Sequence, residues 1–144
     1  KTKLTNIAAL ADIDSGATKT SFGGKANTKT IVDNCSKCPA AKYAYGYATT
    51  GTGAGDWYLP ASGELWLMYE RKDAINRTMS RLGIAKVITS GYAWSSSESS
   101  QTNAGNMSGS SWVKIPTAWG LKSSGEFGTV SKNLYHKVYP MITY

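Results

Sequence analysis

The chain has little of what catalytic and metal centres are usually built from. Its 144 residues include one histidine, His136, two cysteines and nine acidic side chains. A structural zinc needs clustered ligands, yet Cys35-x-x-Cys38 has no second pair and no histidine at zinc-finger spacing. No zinc is therefore expected, and the spacing leaves a local disulfide or two free thiols. A thioredoxin-like pair would open a helix behind a buried strand. Pro39 suits the first helical position, but the preceding Thr28–Asn34 is polar and reads as a short helix or loop, which argues against redox catalysis. No apolar run reaches about 18 residues, so no membrane-spanning helix is expected. The segment from Lys1 lacks the apolar core of a signal peptide, as a mature or excised piece of a longer, multidomain protein would. Basic runs are missing too. The formal charge of +7 comes from lysines scattered singly between Lys1 and Lys137, which describes a basic soluble surface and argues against a nucleic-acid partner.

What is present is glycine, serine and threonine in abundance, with five Trp and nine Tyr. Such a composition suits a loop-rich domain containing β-structure, and 144 residues are enough for one core, so residues 1–144 read as a single domain. The strongest local signal runs from Gly55 to Lys72. A short aromatic strand at Trp57 is stopped by Pro60, and Ser62 is placed to cap a helix with Leu65, Met68 and Tyr69 on one face. Glu64 falls in the first turn and Arg71 and Lys72 in the last, where the helix dipole favours each sign. Upstream, Lys3–Asp14 reads as an opening strand, Ala17–Asn27 as a loop and Pro39–Ala48 as a helix; the glycines at Gly23-Gly24 lack the Lys-Ser/Thr ending of a phosphate loop. Downstream, Asp73 is placed to cap a second short helix through Ile75, Met79 and Leu82, with Gly83 as its stop. After Ile84 the periodicity turns to strands, at Tyr92–Ser96, Ser111–Ile115, Gly128–Val130 and Lys137–Thr143. This order of elements is that of an α+β fold.

Three segments in the same chain resemble a bacterial family. Asp56-Trp57-Tyr58-Leu59-Pro60 followed by Glu64-Leu65 is similar to the D-W-F/Y-L-P-S-x-x-E-L signature of C-type lectin-like domains common in surface proteins of gut Bacteroidetes. Tyr92-Ala93-Trp94-Ser95-Ser96-Ser97-Glu98 resembles their Y-x-W-S-S-S-E segment, and Lys137-Val138-Tyr139-Pro140-Met141-Ile142 their closing R-V-R-P-V strand. The lead-in from Gly24 through the Pro39 helix also fits. The resemblance implies a C-type lectin-like fold with neighbouring termini, two main helices, a twisted mixed sheet and a long irregular loop region. In related domains, including variable proteins of diversity-generating retroelements, the segment after W-S-S-S-E forms the ligand surface; here it is residues 99–136. Tyr139 departs from the family pattern, which has arginine there.

Residues 99–136 set large rings among small hydrogen-bonding residues, the composition of a paratope, because Trp and Tyr supply contact area at little rotamer cost. The candidate ligand-binding residues are Ser99, Asn103, Met107, Trp112, Lys114, Trp119, Lys122, Tyr135 and His136. Alternation about Val113 and Ile115 turns Trp112 and Lys114 outward, while Trp57, Trp66 and Trp94 read as buried or half-buried anchors. The Ser95–Ser97 hydroxyls are expected to bond backbone groups in a tight corner, with Glu98 accepting N–H donors, and not to form a triad with His136. Neither the E-P-N nor the W-N-D calcium motif of animal lectins occurs, and the cysteines lie far upstream of the binding face required by formylglycine-generating enzymes of related fold. The expectation is a non-enzymatic recognition or adhesion domain without cofactor or metal, extracellular, at a cell surface or on a virion, whose partner is a protein or glycan. The alternative is a structural or assembly module of a pilus, surface protein or phage fibre.

Overall fold

A computed structural model describes residues 19–108 and 111–143, with the backbone alone for the part of this range from 100 to 114. The expected strand at Lys3–Asp14, and with it the closeness of the termini, lies outside the described residues. The first helix, α1 (Gly24–Asn34), begins inside the segment that reads as a loop. Its start is set by packing. A Cβ on Gly24 would collide with the Glu64 carboxylate and stand 2.7 Å from the Ala61 nitrogen, so only glycine lets the helix approach this corner. Thr28, one turn on and fully buried, ties α1 down by accepting the Leu59 N–H at 2.9 Å. The Cys35–Cys38 disulfide spans the connection to α2 (Pro39–Gly46), which has Pro39 at its first position.

The aromatic strand β1 (Trp57–Tyr58) leads into α3 (Ser62–Glu70). Ser62 is not the cap. Ala61 holds that position, the Ser62 N–H donates to Ser97 Oγ at 3.0 Å, and the Ser62 hydroxyl is buried without a hydrogen-bond partner among the described residues. Glu64 does the capping from inside the first turn: its Oε2 accepts the Ala61 N–H at 2.7 Å. The carboxylate also accepts the Gly24 N–H and faces the Tyr58 hydroxyl. Burial pushes the Glu64 carboxyl above its ordinary value, and these donors pull it back. Leu65 is fully buried, with Met68 and Tyr69 packed beside it, as the periodicity predicts. A break at Arg71 ends α3 earlier than expected and starts α4 (Lys72–Arg81), in which Asp73 lies in the first turn and is not the cap. Gly83, at φ 69°, supplies the left-handed stop.

Two antiparallel sheets follow. In one, β1 pairs with β5 (Met141–Ile142), Trp57 opposite Ile142. In the other, β2 (Tyr92–Ser108), β3 (Ser111–Lys122) and β4 (Phe127–Ser131) pair in chain order. Helices cover both faces of this second sheet. Trp94, Ala118 and Val130 pack toward Ala41 and Ala44 of α2, whereas Ala93 and Leu121 pack with Leu65 of α3 and with Val87 and Ile88. The period-2 alternation of Ala93 and Trp94 thus feeds two cores at once. Tyr139, where the resembling family has arginine, packs at the second core and accepts the Ile88 N–H at 2.9 Å. Ile88 has φ 49°, a strained value for a β-branched residue, and that hydrogen bond helps to hold it.

The α+β class holds, but the details implied by the resemblance are corrected. Four helices, α1–α4, stand among the described residues, where the resemblance implied two main ones. Both sheets are antiparallel, and the isolated bridge between Ala93 and Lys137 is the parallel pairing present among the described residues. The segment expected to be long irregular loop is instead largely the β2–β3 hairpin. Ladder pairing overrides the Ser, Asn and Gly content of β2, and three register shifts absorb the irregularity, one of them beside Pro116.

Ala is the better helix former, so Gly24→Ala would be favourable on propensity alone. Because the added Cβ meets Glu64 and the Ala61 backbone, the substitution is expected to cost about 1–3 kcal/mol in urea unfolding. A neutral or stabilising result would show that this junction is not close-packed.

Candidate functional site

The W-S-S-S-E segment forms the first half of β2 and is woven into the scaffold. The Ser95 hydroxyl donates to the Trp119 carbonyl at 2.7 Å and accepts the Ser97 N–H at 3.2 Å. Ser97 Oγ accepts the Ser62 N–H and donates to Ser21 Oγ at 3.2 Å, while the Ser96 N–H donates to the Pro60 carbonyl at 2.7 Å. The clustered serines bond backbone groups as expected, but from within the strand β2 beside a register shift and not from a tight corner. These bonds join β2 to the residue before the α3 cap and to β3, so the hydroxyls serve as cross-links.

Glu98 closes this segment, only 2% exposed, and pairs with Lys132 in the turn after β4. The spacing of the two residues in the chain carries no sign of this. Burial lowers Lys132 to about 8, so the ammonium is still mostly charged at pH 7 and pairs with the Glu98 carboxylate. A buried pair of this kind adds little net stability but is costly to break by halves. Around it opens a cleft of about 120 Å³ between the helices and the sheet. It takes in Ile31 of α1, Ala41 of α2, Leu59, Trp94, Ala118 and, at the exposed edge, Leu134.

The nine candidate residues fall into four groups. Ser99 is buried in β2 and Trp119 in β3, the latter with its indole N–H unpartnered among the described residues. Neither is an exposed anchor in this structure. Asn103 and Met107 lie on β2 opposite Ile115 and Trp112, and Lys114 opposite Ala104. The hairpin therefore gathers Asn103, Met107, Trp112 and Lys114 on one ribbon, although the directions of their side chains lie outside what is described. Lys122 and Tyr135 face solvent, Lys122 near Glu126 at 3.6 Å and Tyr135 with 99% of its surface exposed. His136 is half-buried. Its ring meets Trp94 and Tyr92 edge-on, with centroids 5.0 and 5.6 Å away, and its Nε2 is buried without a hydrogen-bond partner among the described residues.

Chemically, the described residues bring no nucleophile and base together at His136, since Ser95 is spent on the Trp119 carbonyl and His136 Nε2 bonds to nothing. No group of three or more His, Cys, Asp or Glu that could hold a metal ion occurs among them. What sequence reading missed was the Glu98–Lys132 pair and its cleft, because both depend on β4 returning beside β3. A buried glutamate after three serines was the available signal, and its partner could not be named from spacing.

Burial lowers the His136 pKa from 6.5 by disfavouring the imidazolium. The neutral ring therefore favours folding above pH 6.5, and that contribution is lost as pH falls through the lower folded-state value. Between about pH 7.5 and about pH 5 the melting temperature of the wild type should fall more steeply than that of His136→Phe, which keeps the edge contacts and cannot titrate. Parallel melting profiles would refute the linkage. Comparison with protein-family models, with curated proteins and with solved structures found no match for this chain.

Proposed function

We propose that the chain is a C-type lectin-like recognition domain of the bacterial surface type, non-enzymatic, which uses the exposed part of residues 99–136 to meet a protein or glycan partner without using calcium. The observation that carries this reading is the β2–β3 ribbon. Strand β4 pairs with β3 only from Thr117 to Leu121, whereas β2 and β3 stay paired out to Ser108 and Ser111. Among the described residues no third strand pairs with the outer part. A two-stranded ribbon of this length is poorly stabilised alone, and the rigid base formed by the Ser95–Ser97 cross-links and the Glu98–Lys132 pair supports it. Variable recognition residues placed on such an arm change without disturbing the cores behind it.

Three motif segments support the family reading by their roles. The Trp57–Pro60 stretch delivers the chain to α3, the W-S-S-S-E stretch crosses between the two cores, and the closing strand returns to β1. The reading places the domain outside the cell, at a cell surface or on a virion, and no described helix is long and apolar enough to cross a membrane. An assembly module remains the rival, since the same ribbon edges are able to pair with a neighbouring subunit.

An array of immobilised glycans and bacterial surface proteins, probed with the domain in the presence and absence of EDTA, tests the proposal. Capture is expected in both conditions, and Trp112→Ala with Lys114→Ala should weaken it by about tenfold or more while leaving thermal stability nearly unchanged. Loss of capture in EDTA, or capture indifferent to the two substitutions, would overturn it. A stable oligomer at micromolar concentration would favour the assembly reading.

A further inference from the structure

The cleft beside the Glu98–Lys132 pair is separate from the ribbon and carries an inference independent of the recognition reading. Its volume of about 120 Å³ is close to the roughly 150 Å³ of an apolar cavity known to accept benzene. There is room for one ring or one branched alkyl group. The apolar lining is supplied by Ile31, Ala41, Leu59, Trp94, Ala118 and Leu134, with the Trp94 indole providing an aromatic wall.

The charged lining decides what the polar end of a ligand must be. Two cations, Lys37 and Lys132, and one anion, Glu98, line the cleft. The anion is the group hidden from solvent, at 3% side-chain exposure, and it is already matched by Lys132, whose side chain keeps 20%. A cationic ligand would have to separate that pair. An anionic one would not, because an ammonium carries three N–H donors and the contact with Glu98 leaves others to offer. Lys37, exposed at the rim, adds a second positive charge.

We propose that this cleft binds a small free acid, an aryl or branched-alkyl carboxylate, with its apolar end against Trp94, Ala41 and Leu59 and its carboxylate on Lys132. The limited volume favours a free small molecule over the terminus of a polypeptide. The recognition ribbon and this cleft then form two sites on one domain, joined at Glu98.

The test uses 3-phenylpropionate, with 3-phenylpropanol and 3-phenylpropylamine as its neutral and cationic counterparts, titrated into the full chain and followed by amide chemical shifts. The acid should bind with a Kd of roughly millimolar order, as expected for so few atoms, and shift Ala41, Leu59 and Ala118. The alcohol and the amine should bind about tenfold more weakly or not at all. Leu134→Ala and Lys37→Glu alter exposed positions without touching the cores, and both should weaken the acid. Lys132→Met combined with Glu98→Gln removes the pair as a unit and should abolish the preference for the acid over the alcohol. Equal affinity for the three probes, preference for the amine, or no shift at these residues up to about 10 mM would overturn the proposal. Indifference of acid binding to both Leu134→Ala and Lys37→Glu would overturn it as well, whether or not the double variant folds.

Discussion

The carboxylate of Glu64 is the contact on which the described structure depends. It receives the N–H groups of Ala61 and Gly24 and faces the Tyr58 hydroxyl, so one side chain fixes the starts of α1 and α3 and the end of β1. Orphan N–H groups at helix starts need acceptors, and here a single buried acceptor serves two helices. Its demands propagate. Gly24 has to lack a side chain, Ala61 has to be extended, and the Tyr58 hydroxyl lies 2.8 Å from Thr143 Oγ1, which ties the closing segment to the same point.

From that junction the sheet inherits its position. The Ser62 N–H meets Ser97 and the Pro60 carbonyl meets Ser96, so the turn into α3 holds β2 in place. With β2 placed, Trp94 and Ala93 face opposite cores, and Glu98 is carried inward to meet the Lys132 ammonium. Lys132 answers from the turn after β4, and its backbone N–H also donates to the Pro116 carbonyl at 3.0 Å. The base of the hairpin is thus bonded on several sides, while its outer half depends on β2–β3 pairing. Rigid support behind that outer half is what the proposed recognition reading requires.

Some of this was legible in the residues. Leu65, Met68 and Tyr69 sit on the buried face that their spacing predicts, Pro39 opens a helix, Gly83 stops one, and the serine cluster bonds backbone groups. The misses share a cause. Ser62 has the chemistry of a cap, but the helix starts one residue earlier than it needs, with Ala61 as the cap position and Glu64 accepting the Ala61 N–H, and α1 begins at a glycine that reads as loop because its reason lies in Glu64, forty residues on. The composition of β2 argues for loop, yet its partner strand supplies the hydrogen bonds that its side chains do not promote. Tyr139 looked like a departure from the pattern of a resembling family, and it acquires a task only through contact with the strained Ile88.

By itself, the sequence determined the α+β order of elements, the helical faces and the amphipathic strand–helix corner from Trp57 onward, because these follow from periodicity, capping chemistry and turn residues within a few positions of one another. Tertiary structure alone decided that Glu64 also receives the Gly24 N–H, that Trp119 and Ser99 are buried, that Glu98 meets Lys132, and that a cleft opens beside them. Those outcomes depend on groups tens of residues apart, where a buried charge or an unpaired N–H selects its partner from whatever the fold brings within reach.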